Sequence, residues 1–207
     1  MNNVQPFRPA GYVEDNPLGL PKDYVKKILP HLDAHIASLF VLFHQYQKHH
    51  WLVEGPQFMD LHKFLQGNYE QVHKQIDMLA ERMTALGGIP TCNPVEQAKI
   101  AYFDHEPEGT YRIRHMLERD LEAEGILARK LRETIRVAAE QDPGTEQLLK
   151  SILHDLEDRA HHLHHFLGED SLELGLNIEA AAATTNSSLP TSPNGSTATK
   201  TGEKVAN

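Results

Sequence analysis

Two groups of residues have the types and spacing for metal chemistry. The stretch QYQKHHWLVEGPQFMDLHKFL, residues 45–65, ends an apolar row in His49-His50-Trp51, breaks at Gly55-Pro56 and resumes with His62. Beyond it His62, Gln66, His73, Asp77 and Glu81 recur at spacings that keep them on one side of a helix. Mixed imidazole and carboxylate donors suit iron, zinc or manganese. The chain holds 14 histidines, clustered near 44–50, 62–73 and 154–165. Such clusters signal metal or proton chemistry where they converge, and wet helix faces where they do not.

The elements that position these donors are helical. Leu32, Ile36, Leu39, Phe43, Tyr46 and His50 alternate four- and three-residue steps, which places them on one face of a first long helix. After Gly55-Pro56, Leu61, Leu65, Tyr69, Val72, Ile76, Leu79, Met83 and Leu86 trace a second helix, stopped by Gly87-Gly88. NPVEQAKIAYF, residues 93–103, reads as a short helix, and a third long helix is expected from about Thr110 to Glu140. Asp142-Pro143 supplies cap and first turn of a fourth, which closes at Gly168. No segment alternates as a strand would. The expected fold is all-α, a four-helix bundle with a short helix in the long connection between helices two and three, the ferritin-like connectivity. Residues 1–21 read as an irregular arm, 22–168 as the bundle, 169–179 as an extension and 180–207, rich in Ser, Thr and Pro, as a disordered tail.

Helix geometry limits how the donors can meet. His62 and Asp77 are fifteen residues apart, which is roughly 22 Å along one helix. They cannot bind one ion within a single chain. Two such helices packed antiparallel across a two-fold axis bring His62 level with the partner's Glu81, and position 66 level with the partner's Asp77, which gives two equivalent sites.

HHWLVEGPQFMDLHKFL followed by IDMLAERMTALGG resembles the signature of the Dps proteins, mini-ferritins that protect DNA during starvation, and the resemblance covers roughly residues 22–168. It implies a hollow dodecamer whose ferroxidase centres lie between subunits. His50 and His62 of one chain with Asp77 and Glu81 of its neighbour match the family ligands. The reaction implied is oxidation of ferrous iron by hydrogen peroxide or dioxygen, with storage of ferric mineral and protection from oxidative stress. The family pattern has an aspartate where this chain has Gln66. A wheel of the fourth helix, with Leu149, Leu153, Leu156, Ala160, Leu163 and Leu167 inward, sets His164 roughly 60° from the middle of that face. His164 is thus the candidate extra ligand, with His161 and His73 as competitors, and it resembles a histidine-rich variant of the centre that can hold zinc. Trp51 stands beside the site as an aromatic wall, and Asp142 and Glu146 are candidates for an acidic three-fold pore by the same resemblance.

Two rival readings can be weighed. A di-iron site inside one bundle needs Glu-x-x-His on two helices; only Glu70-x-x-His73 fits, and the first helix has no glutamate before Glu54. A DNA-compacting protein needs cations, yet Lys and Arg number 20 against 29 Asp and Glu, a net charge of −9. The arm offers Arg8 before Lys22, and the tail Lys200 and Lys204, so direct DNA binding is doubtful. The single Cys92 excludes an intrachain disulfide framework, and no signal peptide or membrane-spanning run is read, so a cytoplasmic protein is expected.

Overall fold

The computed structural model describes residues 5–168; the expected extension and tail, and the first residues of the arm, lie outside the described residues. Among the described residues five helices form: α1 (Lys22–Leu52), α2 (Phe58–Ala85), α3 (Pro94–Ile100), α4 (Ile113–Ala138) and α5 (Pro143–Phe166). Among the described residues there is no strand. Contacts pair numbers in opposite order along α1 and α4, His35 with Thr134 and Tyr46 with Glu124, so these helices are antiparallel. Along α2 and α5, Arg82 meets Asp142 and Gln75 meets Asp155, so these are antiparallel too. The segment 86–112, with α3 inside it, therefore crosses the length of the bundle, as the ferritin-like connectivity requires.

Local chemistry explains the boundaries. The α2 end is closed by Gly87 at φ +86°, where L side chains are strained, and Gly88 N–H bonds back to Met83 O. The N-terminal arm crosses at this point, with Glu14 N–H donating to Gly87 O at 2.8 Å. Asn93 caps α3 by accepting from Val95 N–H, and Asp142 caps α5 by accepting from Thr145 N–H, each followed by a proline in the first turn. The third long helix starts at Ile113, later than the expected Thr110, because Arg112 is still extended and gives no side-chain cap.

The crossover is laced along α1. Thr91 donates from N–H and hydroxyl to Asp33, Tyr102 N–H donates to Ser38 Oγ, and Lys48 Nζ donates to Pro107 O. Helix α1 therefore buries more than the one apolar row read from the sequence. His35, Ala37, Ser38, Leu42 and Gln45 are buried as well, since α1 packs on α2, α3 and α4.

Candidate metal centre

His50 ends α1 and His62 lies in the second turn of α2, and the Gly55-Pro56 break folds one back onto the other. Their rings stack with centroids 3.7 Å apart. His50 Nδ1 lies 2.8 Å from His62 O, and His62 Nδ1 lies 2.9 Å from His50 O. A carbonyl oxygen can only accept, so each Nδ1 carries its proton and each neutral ring keeps a lone pair on Nε2. That is the tautomer a metal ligand needs, fixed by a backbone partner. Tyr69 meets the edge of the His50 ring and Phe58 stacks on His62, which walls the pair with apolar surface.

The carboxylates lie elsewhere. Asp77 and Glu81 are exposed on α2, and among the described residues neither carboxylate has a hydrogen bond or ion pair. Gln66 is exposed one turn after His62 and gives its amide nitrogen to Glu70, which leaves its amide oxygen. Among the described residues no three His, Cys, Asp or Glu side chains converge on one ion position. Trp51, expected as a wall, is 66% exposed beside His50.

The bundle interior is closed to metal by its own ion pairs. Arg159 on α5 binds both oxygens of Glu124 on α4, Nε at 2.6 Å and Nη2 at 3.1 Å, and reaches Gln71 and Gln75 on α2. Tyr46 hydroxyl donates to the same Glu124 at 2.7 Å. Burial works against the guanidinium charge, but Glu124 outweighs it and holds the Arg159 pKa above its ordinary value. Nearby, His49 places Nδ1 2.9 Å from Asp120 and Nε2 2.8 Å from Glu106, which Lys48 also binds. Burial lowers the His49 pKa, and the charge and hydrogen bond of Asp120, with those of Glu106, more than reverse this. Lys48 and His49 thus offset Glu106 and Asp120, and among the described residues no three donors converge here on one ion position. The rival pair Glu70 and His73 is exposed on α2, outside the interior.

Comparison with known proteins sets the frame. The Ferritin-like domain family matches residues 29–172. The DNA protection during starvation protein of Halobacterium salinarum is 39% identical, covering 79% of this chain and 91% of its own length. A nutrient stress-induced DNA-binding protein of Synechococcus sp. is also 39% identical, over 84% of this chain and 99% of its own. Among solved structures, the archaeal Dps homologue from Halobacterium salinarum superposes with a TM-score of 0.78 at 37% identity, over 83% of this chain and 97% of that one. The chain is a member of the Dps family. DpsC from Streptomyces coelicolor, at 29% identity, has the same TM-score of 0.78 and covers 81% of this chain and 99% of its own.

Within this Dps-family bundle two expectations about helix α5 change. Its buried residues are Thr145, Leu149, Ile152, Leu156, Arg159 and Leu163, not the row through Leu153 and Ala160. Thr145, Ile152 and Arg159 turn in while Leu153, Ala160 and Leu167 are only half-buried, which rotates the buried face by about 40°, so His164 sits about 100° from its middle rather than about 60°. His164 is exposed, as are His161, His162 and His165, and it does not face inward. His62 faces α1, while Phe64 faces α5 through Phe166 and His162, so α5 lies on the other side of α2 from the His50–His62 pair. Asp142 also leaves the pore assignment. It is buried, it binds Arg82 at 2.6 Å, Thr145 and the Tyr24 hydroxyl, and it serves to clasp α2 to α5. Glu146 is half-buried and pairs with Lys150.

The sequence reading passed over Glu124, Asp120, Arg159, His49 and Glu106. The available signal was Leu117, Asp120, Glu124, Leu127, Leu131 and Thr134, one helical row of α4 in which two carboxylates interrupt apolar residues. Charges inside an apolar row must find buried partners.

Proposed function

We propose that the protein is a ferroxidase and iron-storage mini-ferritin. Its centre is shared between two chains, His50 and His62 from one and Asp77 and Glu81 from the other. The observation that carries this reading is the reciprocal Nδ1-to-carbonyl latch of His50 and His62, two oriented imidazoles with no carboxylate beside them among the described residues, while Asp77 and Glu81 stand unengaged roughly 22 and 28 Å along the helix from His62. Only a second copy supplies both halves, and a two-fold pairing supplies them twice. Exposed Trp51 and Met59 next to the pair give that contact apolar area.

Ferrous iron is the substrate. Imidazoles suit the ferrous ion and carboxylates the harder ferric ion, so a mixed shell holds iron through the change of charge. Each ferrous ion gives up one electron; hydrogen peroxide takes two and, with two protons, becomes water, while dioxygen serves as the alternative acceptor. Ferric product is stored as mineral inside a hollow dodecamer, which removes iron and peroxide together and protects the cell. Among the described residues no third imidazole of the same chain reaches the pair, so nothing in this geometry favours zinc over iron.

Complementation tests the shared site. His62→Ala and Asp77→Ala assemblies should each stay intact and lose ferrous oxidation. Co-assembled, they should recover roughly a quarter of wild-type sites, since about half of random pairs are mixed and each mixed pair regains one of two sites. A site made within one chain predicts no recovery. DNA binding is the second reading, favoured by the relative from Synechococcus, a nutrient stress-induced DNA-binding protein. Against it, Arg8 is paired to Glu14 and Lys22 to Asp15, so the described part of the arm offers few free cations for phosphate. A salt-sensitive gel shift at low ionic strength would bring it back.

A further inference from the structure

The run His161-His162-Leu163-His164-His165 closes α5 and has no role in the proposed iron chemistry. Only Leu163 points into the core, fully buried, and the four histidines are exposed. With the buried face centred near Leu156 and Leu163, His161 and His165 both lie about 160° from it, at the most outward position of the helix, while His162 and His164 sit at its two borders. The ring contacts divide the run in the same way. His161 and His165 have centroids 4.4 Å apart, whereas His161–His162 and His164–His165 are 6.0 and 6.2 Å apart. His162 is turned aside, with Nδ1 3.8 Å from Asp158 and its ring edge-on to Phe64.

We propose that His161 and His165 form a surface chelate for a late first-row divalent ion, copper(II) foremost and nickel or zinc below it, separate from the iron centre. Residues four apart on a helix have Cβ atoms about 5–6 Å apart, and two imidazoles at that spacing can each place a nitrogen about 2.0–2.1 Å from one ion. Neutral nitrogen donors favour copper, nickel and zinc over the hard ferric ion, and the order of divalent affinities puts copper first. Water completes the shell, in keeping with the absence of any three-donor cluster among the described residues. The last turn of a helix carries partial negative charge from its free carbonyls, which favours a bound cation there. Because the pair lies across α5 from its buried face and α5 lies across α2 from His50 and His62, loading one site leaves the other chemically untouched.

The test uses the full-length, untagged assembly, stripped of metal and checked for size, titrated with copper(II) in equilibrium dialysis. Loss of a mere supporting partner of a metal ligand weakens affinity about 10–100-fold, so loss of a ligand itself should weaken one ion per chain by at least about tenfold in both His161→Ala and His165→Ala. His162→Ala and His164→Ala should keep it. The copper spectrum should report two equatorial imidazole nitrogens in the wild type and one in each of the first two variants. All four positions are exposed at a helix end, so folding is preserved, and ferrous oxidation should be unchanged in His161→Ala and His165→Ala. Unchanged copper affinity in His161→Ala, or an equal loss in all four variants, overturns the assignment.

Discussion

The buried His35 should make the fold sensitive to acid. Its ring is fully buried between α1 and α4, with Nε2 2.8 Å from Thr134 Oγ1. The Thr134 hydroxyl spends its proton on Lys130 O at 3.1 Å, so it accepts from His35 Nε2–H, and Nδ1 is the unprotonated nitrogen, without a partner among the described residues. A proton on Nδ1 would place an unpaired charge in the core. Burial first, then the charges of His31 and Lys130, push the His35 pKa down to about 3. In the unfolded chain the ring titrates at about 6.5, so between those values the unfolded state binds more protons and stability falls as pH falls. Well above pH 6.5 neither state holds the proton and nothing is lost. At pH 4 the difference is about 2.5 pKa units, on the order of 3 kcal/mol per chain at ~1.4 kcal/mol per unit. Denaturant unfolding followed by far-ultraviolet circular dichroism at pH 7 and pH 4, at fixed protomer concentration, measures it. His35→Leu should start somewhat less stable at pH 7 and then lose about 3 kcal/mol less than wild type on going to pH 4. Equal acid losses in the two proteins would refute the argument.

Two further changes probe the interior and the arm. Arg159→Met leaves Glu124 buried without its counter-charge and should cost about 3–5 kcal/mol in denaturant unfolding; adding Glu124→Gln, whose amide oxygen still accepts from Tyr46, should restore much of this, and a double variant no better than the single would be contrary. Gly87→Ala puts a side chain on backbone at φ +86° and against the Glu14 carbonyl, at about 1–2 kcal/mol for the conformation alone; limited proteolysis should cut residues 5–21 sooner than in wild type, and unchanged cleavage would show that the arm does not depend on this contact.

The helices were legible because each is bounded by residues with a local mechanism. Gly55-Pro56, Gly87 and the Asp142-Pro143 cap act through their own dihedrals and hydrogen bonds, so sequence alone locates them. The His50–His62 contact was legible for the same reason, since a short break between two amphipathic helices folds one end onto the other. What escaped was non-local. Arg159 resembles an exposed cation on the edge of an apolar row until Glu124, 35 positions away, is seen to bind it. The burial of Thr145, Ile152 and Arg159 in place of Leu153, Ala160 and Leu167 rotates the buried face of α5 and turns His164 outward. His35 escaped because it lies one residue before Ile36, off the row that defined the helix face, and is buried only because the crossover and α4 both cover it.

The closed interior also bears on why iron chemistry is proposed between chains. A four-helix bundle can carry a metal site at its centre when facing helices present carboxylates and imidazoles there. Here the facing positions hold Tyr46, Gln71, Gln75, Glu124 and Arg159, and the guanidinium neutralises the one carboxylate among them. The same volume cannot hold both a guanidinium and a dication, because like charges at contact distance in a low-dielectric site repel strongly. A divalent ion is held where imidazoles and carboxylates remain unengaged, and the His50–His62 pair and the exposed Asp77 and Glu81 are such groups. The ion pair that stabilises the single bundle thereby favours the proposed iron centre at a surface that one chain alone does not complete.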